Sequence, residues 1–158
     1  MAAPTPTTRQ TPVGRVLKDG HPSKITFAAD PDVSFWEKSL TPGGFDGGDA
    51  IDLTTFFNVT YRRKTPRSLI DLTACSGTCL YDPNVITQID DLINVETTVT
   101  ITFKDGTTWA EYGWLKSFTP QEMTEGEPPM ADFEVELSGW DNTNNVEAGP
   151  AVASVAGT

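Results

Sequence analysis

Hydrophobic and polar residues alternate over residues 96–118, which is the pattern of a β-hairpin with one buried face. Asp105 and Gly106 are the residues that a two-residue type I′ turn favours, and this turn pairs Lys104 with Thr107. At about 3.3 Å per residue, the second arm of the hairpin would extend roughly 40 Å, well beyond an average strand. A strand of this length usually serves an assembly.

The predicted register assigns each hairpin residue to one of two faces. The apolar face is expected to carry Thr97, Val99, Ile101, Phe103, Thr108, Ala110, Tyr112 and Trp114. The opposite face is expected to carry mainly hydroxyls and acids, namely Glu96, Thr98, Thr100, Thr102, Glu111 and Ser117, with Trp109 and Leu115 as large apolar exceptions. A third half-buried strand follows at residues 131–139, where Phe133, Val135 and Leu137 alternate with Asp132, Glu134 and Glu136.

One helix is predicted at about residues 83–94. Asp82 is a favourable N-cap, and Pro83 suits the first helical position because its missing N–H is not needed there. Apolar residues recur at helical spacing along one face, which should lie against a sheet: Val85, Ile86, Ile89, Leu92 and Ile93.

Four shorter strands are predicted before the helix, at Lys24–Ala28, Val33–Trp36, Phe56–Arg62 and Ser68–Thr73. Between them, the glycine- and aspartate-rich segment Thr41–Thr55 is too long to be a simple connector. The fold class is therefore mainly β, a sandwich or barrel with one flanking α-helix. Residues 1–22 are expected to form an extended N-terminal arm, residues 23–140 the β domain, and residues 141–158 a flexible C-terminal tail.

The amino-acid composition and net charge exclude several classes of function. The 158 residues suit one domain, and 11 basic against 22 acidic residues give a net charge of −11. Such a surface repels nucleic acid, which excludes phosphate-driven binding. The chain contains no run of 18 apolar residues and no apolar signal core, so we expect no membrane partner and synthesis in the cytoplasm. Arg62, Arg63, Lys64 and Arg67 form the single positive cluster of the sequence.

The residues that could carry chemistry are few. Cys75, Cys79 and His21 cannot complete a tetrahedral zinc site by themselves, so we expect two reduced thiols, with a local disulfide as the alternative. Residues 43–49 are weakly similar to a calcium-binding turn, but such turns bind by tandem stacking, and here there is one. Glu134 and Glu136 have a spacing found in glycosidases, yet acids on one strand face are usually solvated. We therefore expect no cofactor, no metal and no enzymatic activity.

Five segments, in order and spacing, carry a resemblance to a known family. They read HPSKITFAADPDVSFWE, LTPGGFDGGDAIDLTTFFN, YDPNV, ITFKDGTTWAEYGWLKSFTP and EGEPPMADFEVELSG. Over roughly residues 20–140, the chain resembles the major tail, or tail tube, proteins of long non-contractile-tailed bacteriophages.

The resemblance implies a virion protein whose hexameric rings stack into a hollow tube through which phage DNA reaches the host. Its implied partners are further copies of itself, the tail tip and tail terminator proteins, the tape measure protein in the lumen, and DNA in transit. The lumen-facing candidates are Glu96, Thr98, Thr100, Thr102 and Glu111. The candidates for contact between subunits are Thr41, Pro42, Gly43, Gly44, Phe45, Asp46, Gly47, Gly48, Asp49, Arg62, Arg63, Lys64 and Arg67.

Two alternatives remain open at this point. A carbohydrate-binding β-sandwich could use Trp109, Trp114 and Trp140 as an aromatic platform, although the predicted register places Trp114 away from the other two. A tube protein of a related secretion or gene-transfer machine would share the same sequence features.

Overall fold

The computed structural model describes residues 23–33, 35–104 and 106–154. The predicted N-terminal arm, residues 1–22, lies outside the described residues. The strands are β1 (Lys24–Phe27), β2 (Trp36–Thr41), β3 (Phe45–Asp46), β4 (Ile51–Asp52), β5 (Lys64–Thr65), β6 (Asp71–Leu72), β7 (Cys75–Leu80), β8 (Thr97–Thr102), β9 (Thr108–Pro120), β10 (Met130–Leu137), β11 (Trp140–Asp141), β12 (Val146–Glu147) and β13 (Ala151–Ala153). A 3₁₀ turn, Pro83–Val85, leads directly into the helix α1, Ile86–Leu92.

The main sheet has seven antiparallel strands in the order β1-β8-β9-β10-β7-β2, with β13 also paired to β9. The sheet rolls up so that its edge strands approach each other, since the Glu37 carboxylate on β2 accepts a hydrogen bond of 2.9 Å from the Ile25 N–H on β1. Satisfying an edge N–H in this way removes a site for unwanted pairing. The mainly β prediction is confirmed.

The inner face of the rolled sheet carries the core. An aromatic cluster centres on Phe35, whose ring lies 5.0 Å from Phe133, 5.7 Å from Phe118 and 5.8 Å from Phe27, centroid to centroid. Alternation along β10 places Phe133, Val135 and Leu137 inward, as the sequence predicted, and Ala131 is buried with them.

The helix is placed by the residues that the sequence indicated. The Asp82 side chain accepts a hydrogen bond of 2.9 Å from the Asn84 N–H and so caps the first turn. Ile89 and Leu92 are buried, and the Asn94 N–H donates to the Leu115 carbonyl over 3.1 Å, which attaches the end of the helix to β9. The predicted helix is confirmed, but it ends at Leu92, and Ile86, which was expected on the buried face, is exposed.

The predicted hairpin register is wrong by one residue. Phe103 receives the turn hydrogen bond from Gly106 and donates to Thr107, so the connection comprises residues 104–106 rather than two residues. Gly106 has φ +85°, the left-handed conformation that ends a three-residue hairpin loop. Ile101 therefore pairs with Trp109 and Val99 with Glu111. Trp109, Glu111 and Leu115 consequently lie on the buried face, not on the hydroxyl face.

The long second strand of the hairpin is confirmed, because β9 runs for 13 residues and is shared between two halves of the sheet. Its first half pairs with β8 and its second half with β10, and Gly113 is paired on both sides. A bulge at Lys116 interrupts the second half, opposite Glu134 and Val135. Bulges of this kind bend a strand, which lets one strand serve both sides of a rolled sheet.

The expectation of a flexible C-terminal tail is wrong for residues 141–154. β11 and β12 form a small hairpin, and β13 pairs with the first half of β9. Asp141 holds the hairpin turn, since its buried carboxylate accepts hydrogen bonds from the Thr143 N–H (2.8 Å) and from the Asn144 side chain (2.6 Å). Residues 155–158 lie outside the described residues.

Three of the shorter strand predictions also need correction. Val33 and Phe35 are buried, but the strand begins only at Trp36 and continues to Thr41. Of the two predicted strands at residues 56–62 and 68–73, only Asp71–Leu72 is a strand. The remaining residues belong to an exposed extension.

Candidate assembly site

An extension of the chain projects from the rolled sheet between β2 and β7. We call residues 42–74 the arm and the rest of the described chain the body. The arm is a narrow two-stranded ribbon, in which β3 pairs with β6 near the body and β4 pairs with β5 farther out. With only two residues in each of these strands, the ribbon has no core of its own.

The root of the arm is firmly joined to the body. The Thr73 N–H donates to the Gly44 carbonyl (2.9 Å), and the Gly44 N–H donates to the Thr73 hydroxyl (2.7 Å). Gly43 lies against the side chains of Leu137 and Trp109, with no room for a Cβ atom. Glycine is therefore required where the arm leaves the core.

The far end of the arm consists of large apolar residues in contact with solvent. We call Phe56, Phe57, Val59 and Tyr61 the apolar tip; their exposed fractions are 109%, 95%, 96% and 83%. The turn itself is well defined, because the Asn58 side chain accepts a hydrogen bond of 2.8 Å from the Thr55 N–H. An ordered turn that presents four apolar side chains to water is typical of an interaction surface.

All of the predicted contact residues between subunits lie at the end of β2 or on the arm: Thr41, Pro42, Gly43, Gly44, Phe45, Asp46, Gly47, Gly48, Asp49, Arg62, Arg63, Lys64 and Arg67. Arg62 approaches Asp52 at 3.7 Å, and the Arg67 guanidinium donates to the Asp49 carbonyl over 2.9 Å. The arm thus combines basic side chains and exposed apolar ones.

Sequence reasoning missed the apolar tip. Residues 56–62 alternate in a way that also fits a half-buried strand, and the sequence pattern therefore predicted a strand there. The signal that could have found the tip is the absence of a strand partner: the flanking segments are rich in glycine, aspartate and arginine, which rarely form a central strand.

The predicted lumen-facing residues divide between the two faces of the sheet. Thr98, Thr100 and Thr102 share the outer face of β8, beside Lys24 and Thr26 of β1, and Glu96 is exposed just before the strand. Glu111, in contrast, lies on the inner face with 1% of its surface exposed, so its predicted place on the hydroxyl face is wrong.

Glu111 is an unusual core residue. One carboxylate oxygen accepts a hydrogen bond of 3.1 Å from the Tyr112 N–H, and the other has no partner among the described residues. Loss of hydration raises the pKa of Glu111, because the charged form is disfavoured in an apolar setting.

A second hydroxyl and acid surface lies across β2, β7, β10 and the second half of β9. Its outward side chains are Ser39, Thr41, Ser76, Thr78, Ser117, Thr119, Asp132, Glu134 and Glu136. Lys116 lies among them and donates to Glu134 (3.0 Å) and Glu136 (3.3 Å), which raises the pKa of the lysine. These two acids therefore form a salt-bridged surface with Lys116, not a catalytic pair in a cleft.

The other candidate groups lie apart from one another. Cys75 and Cys79 are free and buried on β7, and the four steps of about 3.3 Å between them along the strand amount to roughly 13 Å, beyond the reach of a disulfide. This separation contradicts the alternative of a local disulfide, and burial raises the pKa of each thiol to about 11. Trp109 is buried, so it cannot share an aromatic platform with Trp114 and Trp140.

Among the described residues, no group of three or more His, Cys, Asp or Glu side chains could hold a metal.

No helix in the described part of the chain has the length and hydropathy needed to span a membrane. No family model and no curated protein matches the sequence.

Several solved structures nevertheless share the fold. A chain of the native gene transfer agent virion matches with a TM-score of 0.58 and 10% identity, covering 88% of this chain and 99% of that one. A chain of the anti-feeding prophage baseplate, sixfold symmetrised, matches with a TM-score of 0.57 and 8% identity, over 84% and 91% of the two chains. A chain of the sheath-tube complex of an extracellular contractile injection system matches with a TM-score of 0.54 and 13% identity, over 84% and 88%. The chain therefore has a fold that occurs in the tails and baseplates of phage-like particles.

Proposed function

We propose that this chain is a structural subunit of a tail tube, in which hexameric rings stack into a hollow cylinder that delivers DNA. The observation that carries the proposal is the arm, which presents an ordered apolar tip that the body does not cover. The fold shared with chains of phage-like particles supports it. A tail of one such particle was refined with sixfold helical symmetry, which favours six subunits per ring here as well.

Burial of the apolar tip against a neighbouring subunit would favour self-association. Burying an exposed phenylalanine contributes roughly 1.5–3 kcal/mol, so a subunit that buries its tip against a neighbour gains a large part of a stable contact. The charge of −11 per subunit opposes packing, and the basic residues Arg62, Arg63 and Lys64 beside the tip would offset that repulsion.

The outer hydroxyl and acid face would form the lumen wall. Such a wall of hydroxyls and carboxylates, with Lys24 on one candidate face and Lys116 on the other, would offer DNA few cationic contacts, so the nucleic acid would slide without being held. Glu96, Thr98, Thr100 and Thr102 remain lumen candidates, and the surface around Asp132 and Glu134 is a second candidate. Tail tip, tail terminator and tape measure proteins would be the further partners, with the virion tail as the location.

The choice between a non-contractile phage tail and a related injection or gene-transfer machine rests on the sequence resemblance alone. The solved structures of similar fold include a contractile system and a gene transfer agent as well as a prophage baseplate. The proposal therefore favours the phage tail and keeps the other machines as its alternatives.

Electron microscopy of the purified protein over a concentration series tests the proposal. Hollow rings or tubes of uniform width are expected at high concentration. Thr100→Cys and Asp132→Cys variants then locate the lumen: a bulky polymer-linked maleimide should label monomers but not the lumen-facing site in tubes, and the buried native thiols give little background. A protein that forms no hollow assembly, alone or after addition of preformed tail tips, would refute the proposal.

A further inference from the structure

An open groove of about 890 Å³ lies at the base of the arm, between β6 and the β11–β12 hairpin. Its apolar lining comprises Phe45, Leu69, Ile70, Leu72, Trp140 and Pro150. Of these, Phe45, Leu69 and Ile70 are largely exposed, so the groove presents apolar side chains that the rest of the described chain does not cover. We call it the base groove.

The base groove has acids at its border. Asp71 and Glu147 line it, and both are exposed. The apolar tip of the arm is followed directly by Arg62, Arg63 and Lys64. The tip and the groove therefore match in two independent respects, since apolar side chains meet an apolar lining and a basic segment meets an acidic border.

The tip does not occupy the groove of its own chain. Its side chains are almost fully exposed, and the paired segment β4–β5 separates it from the β3–β6 base that lines the groove. Contact between the two surfaces must therefore join two copies. We propose that the apolar tip of one subunit docks in the base groove of a second subunit, with Phe56 and Phe57 as the inserted side chains.

This contact uses different surfaces on the two partners, so every subunit both donates a tip and accepts one. Heterologous contacts of this kind repeat from copy to copy and build rings or filaments. The inference rests on the proposed function, because it identifies the surface that receives the arm of a neighbouring tube subunit.

Engineered cysteines test the docking directly. One chain carries Thr60→Cys, at an exposed polar position between Val59 and Tyr61 of the tip, which leaves Phe56 and Phe57 in place, and a second chain carries Ile70→Cys in the groove. The control for the second chain is Met123→Cys, which lies outside the groove lining and is exposed to the same degree, 64% against 65% for Ile70. All three positions are on the surface, so the variants should fold, and a denaturation curve for each checks this.

Mixing the two chains under mild oxidation should give a disulfide-linked dimer of the Thr60→Cys and Ile70→Cys chains. Docking raises the effective thiol concentration to the millimolar range, so this product should form on the order of a hundredfold faster than the Met123→Cys control at micromolar protein. Equal rates for Ile70→Cys and Met123→Cys, or no Ile70→Cys product in either assembled or unassembled protein, would overturn the docking inference. If the wild-type protein forms tubes but the groove cysteine does not cross-link, the docking inference fails and the proposed function stands. If the cysteines cross-link but no hollow assembly forms, docking is supported and the proposed tube function is contradicted.

Discussion

The body and the arm contain the same aromatic residue in opposite surroundings. Phe27, Phe35 and Phe133 are buried together inside the rolled sheet, whereas Phe56 and Phe57 at the arm tip face solvent. Burial in the body arises within one chain, because alternating strands supply a face for each ring. The arm is a two-stranded ribbon with no second layer, so its apolar residues lack a partner in the same chain. The body therefore contains the residues that stabilise the fold, and the arm carries the surface that we propose for association.

Phe133→Ala should have the largest effect on folding. The ring is 2% exposed and lies in the aromatic cluster with Phe35, so its removal leaves a cavity. We expect a loss of about 3–5 kcal/mol in the free energy of unfolding. Urea denaturation followed by tryptophan fluorescence measures it, and a loss below about 1 kcal/mol would contradict the assigned core.

Phe57→Ala makes the same chemical change in the arm and serves as the matched comparison. The free energy of unfolding of the monomer should stay within about 0.5 kcal/mol of wild type, because the ring has no contacts to lose. Assembly should weaken by about tenfold or more in critical concentration, which sedimentation measures. A destabilised monomer with normal assembly would reverse the roles given to body and arm.

Reversal of Arg62 and Arg63 to glutamate should weaken assembly through charge alone. The monomer should remain folded, since the pair of Arg62 with Asp52 is exposed and contributes at most about 1 kcal/mol. Light scattering at low and moderate salt measures tube yield. The defect should shrink as salt screens the added repulsion, and a yield equal to wild type at moderate salt would count against an electrostatic role.

Glu111→Gln should alter the pH dependence of the body. Burial raises the pKa of Glu111 in the folded state, so between the ordinary glutamate value and that raised pKa the unfolded chain binds fewer protons. The stability of the wild type should therefore fall as the pH rises through this window. The substitution should remove this slope, so its effect on the free energy of unfolding should be more favourable at neutral pH than at pH 4. Parallel pH profiles for the two proteins would show that the carboxylate is not effectively buried.

Lys116→Ala should have the smallest effect. Its bonds to Glu134 and Glu136 are exposed to solvent, where ion pairs contribute little to stability. Removal of the lysine leaves two neighbouring carboxylates without their cation, so a slight destabilisation should appear at low salt and vanish at high salt. Thermal melts at the two salt concentrations compare it with wild type, and Lys116→Arg provides the control that keeps the charge.

The body could largely be predicted from local patterns. Asp82 and Pro83 identified the start of the helix, and the alternation around Phe133 identified β10 and its inward face. The hairpin turn could not be predicted so well, since residues Asp105 and Gly106 suit both a two-residue and a three-residue loop. The burial of Trp109 and Leu115 favours the three-residue loop, because the two-residue loop would leave both side chains outside the core. The burial of Glu111 opposes it, because the three-residue loop places this acid inside the core.

The arm and the C-terminal segment depended on tertiary context. Residues 151–153 are small and without strong alternation, and they form a strand because β9 has a free edge beside them. Residues 56–61 have the composition of a strand, yet no neighbouring strand is within reach at the end of the ribbon, so they form an exposed turn. Propensity cannot distinguish these outcomes, because pairing depends on which edges the fold leaves open.

The sequence by itself determined the mainly β class, the position of the helix, the long strand and the acidic surface, since each follows from local periodicity, capping or charge. The tertiary structure decided the hairpin register, the burial of Glu111, the ordering of residues 141–154 and the exposure of the apolar tip. These features depend on contacts between residues far apart in the chain. A shift of one residue in pairing exchanges the two faces of a strand, and only the packed core selects between the two registers.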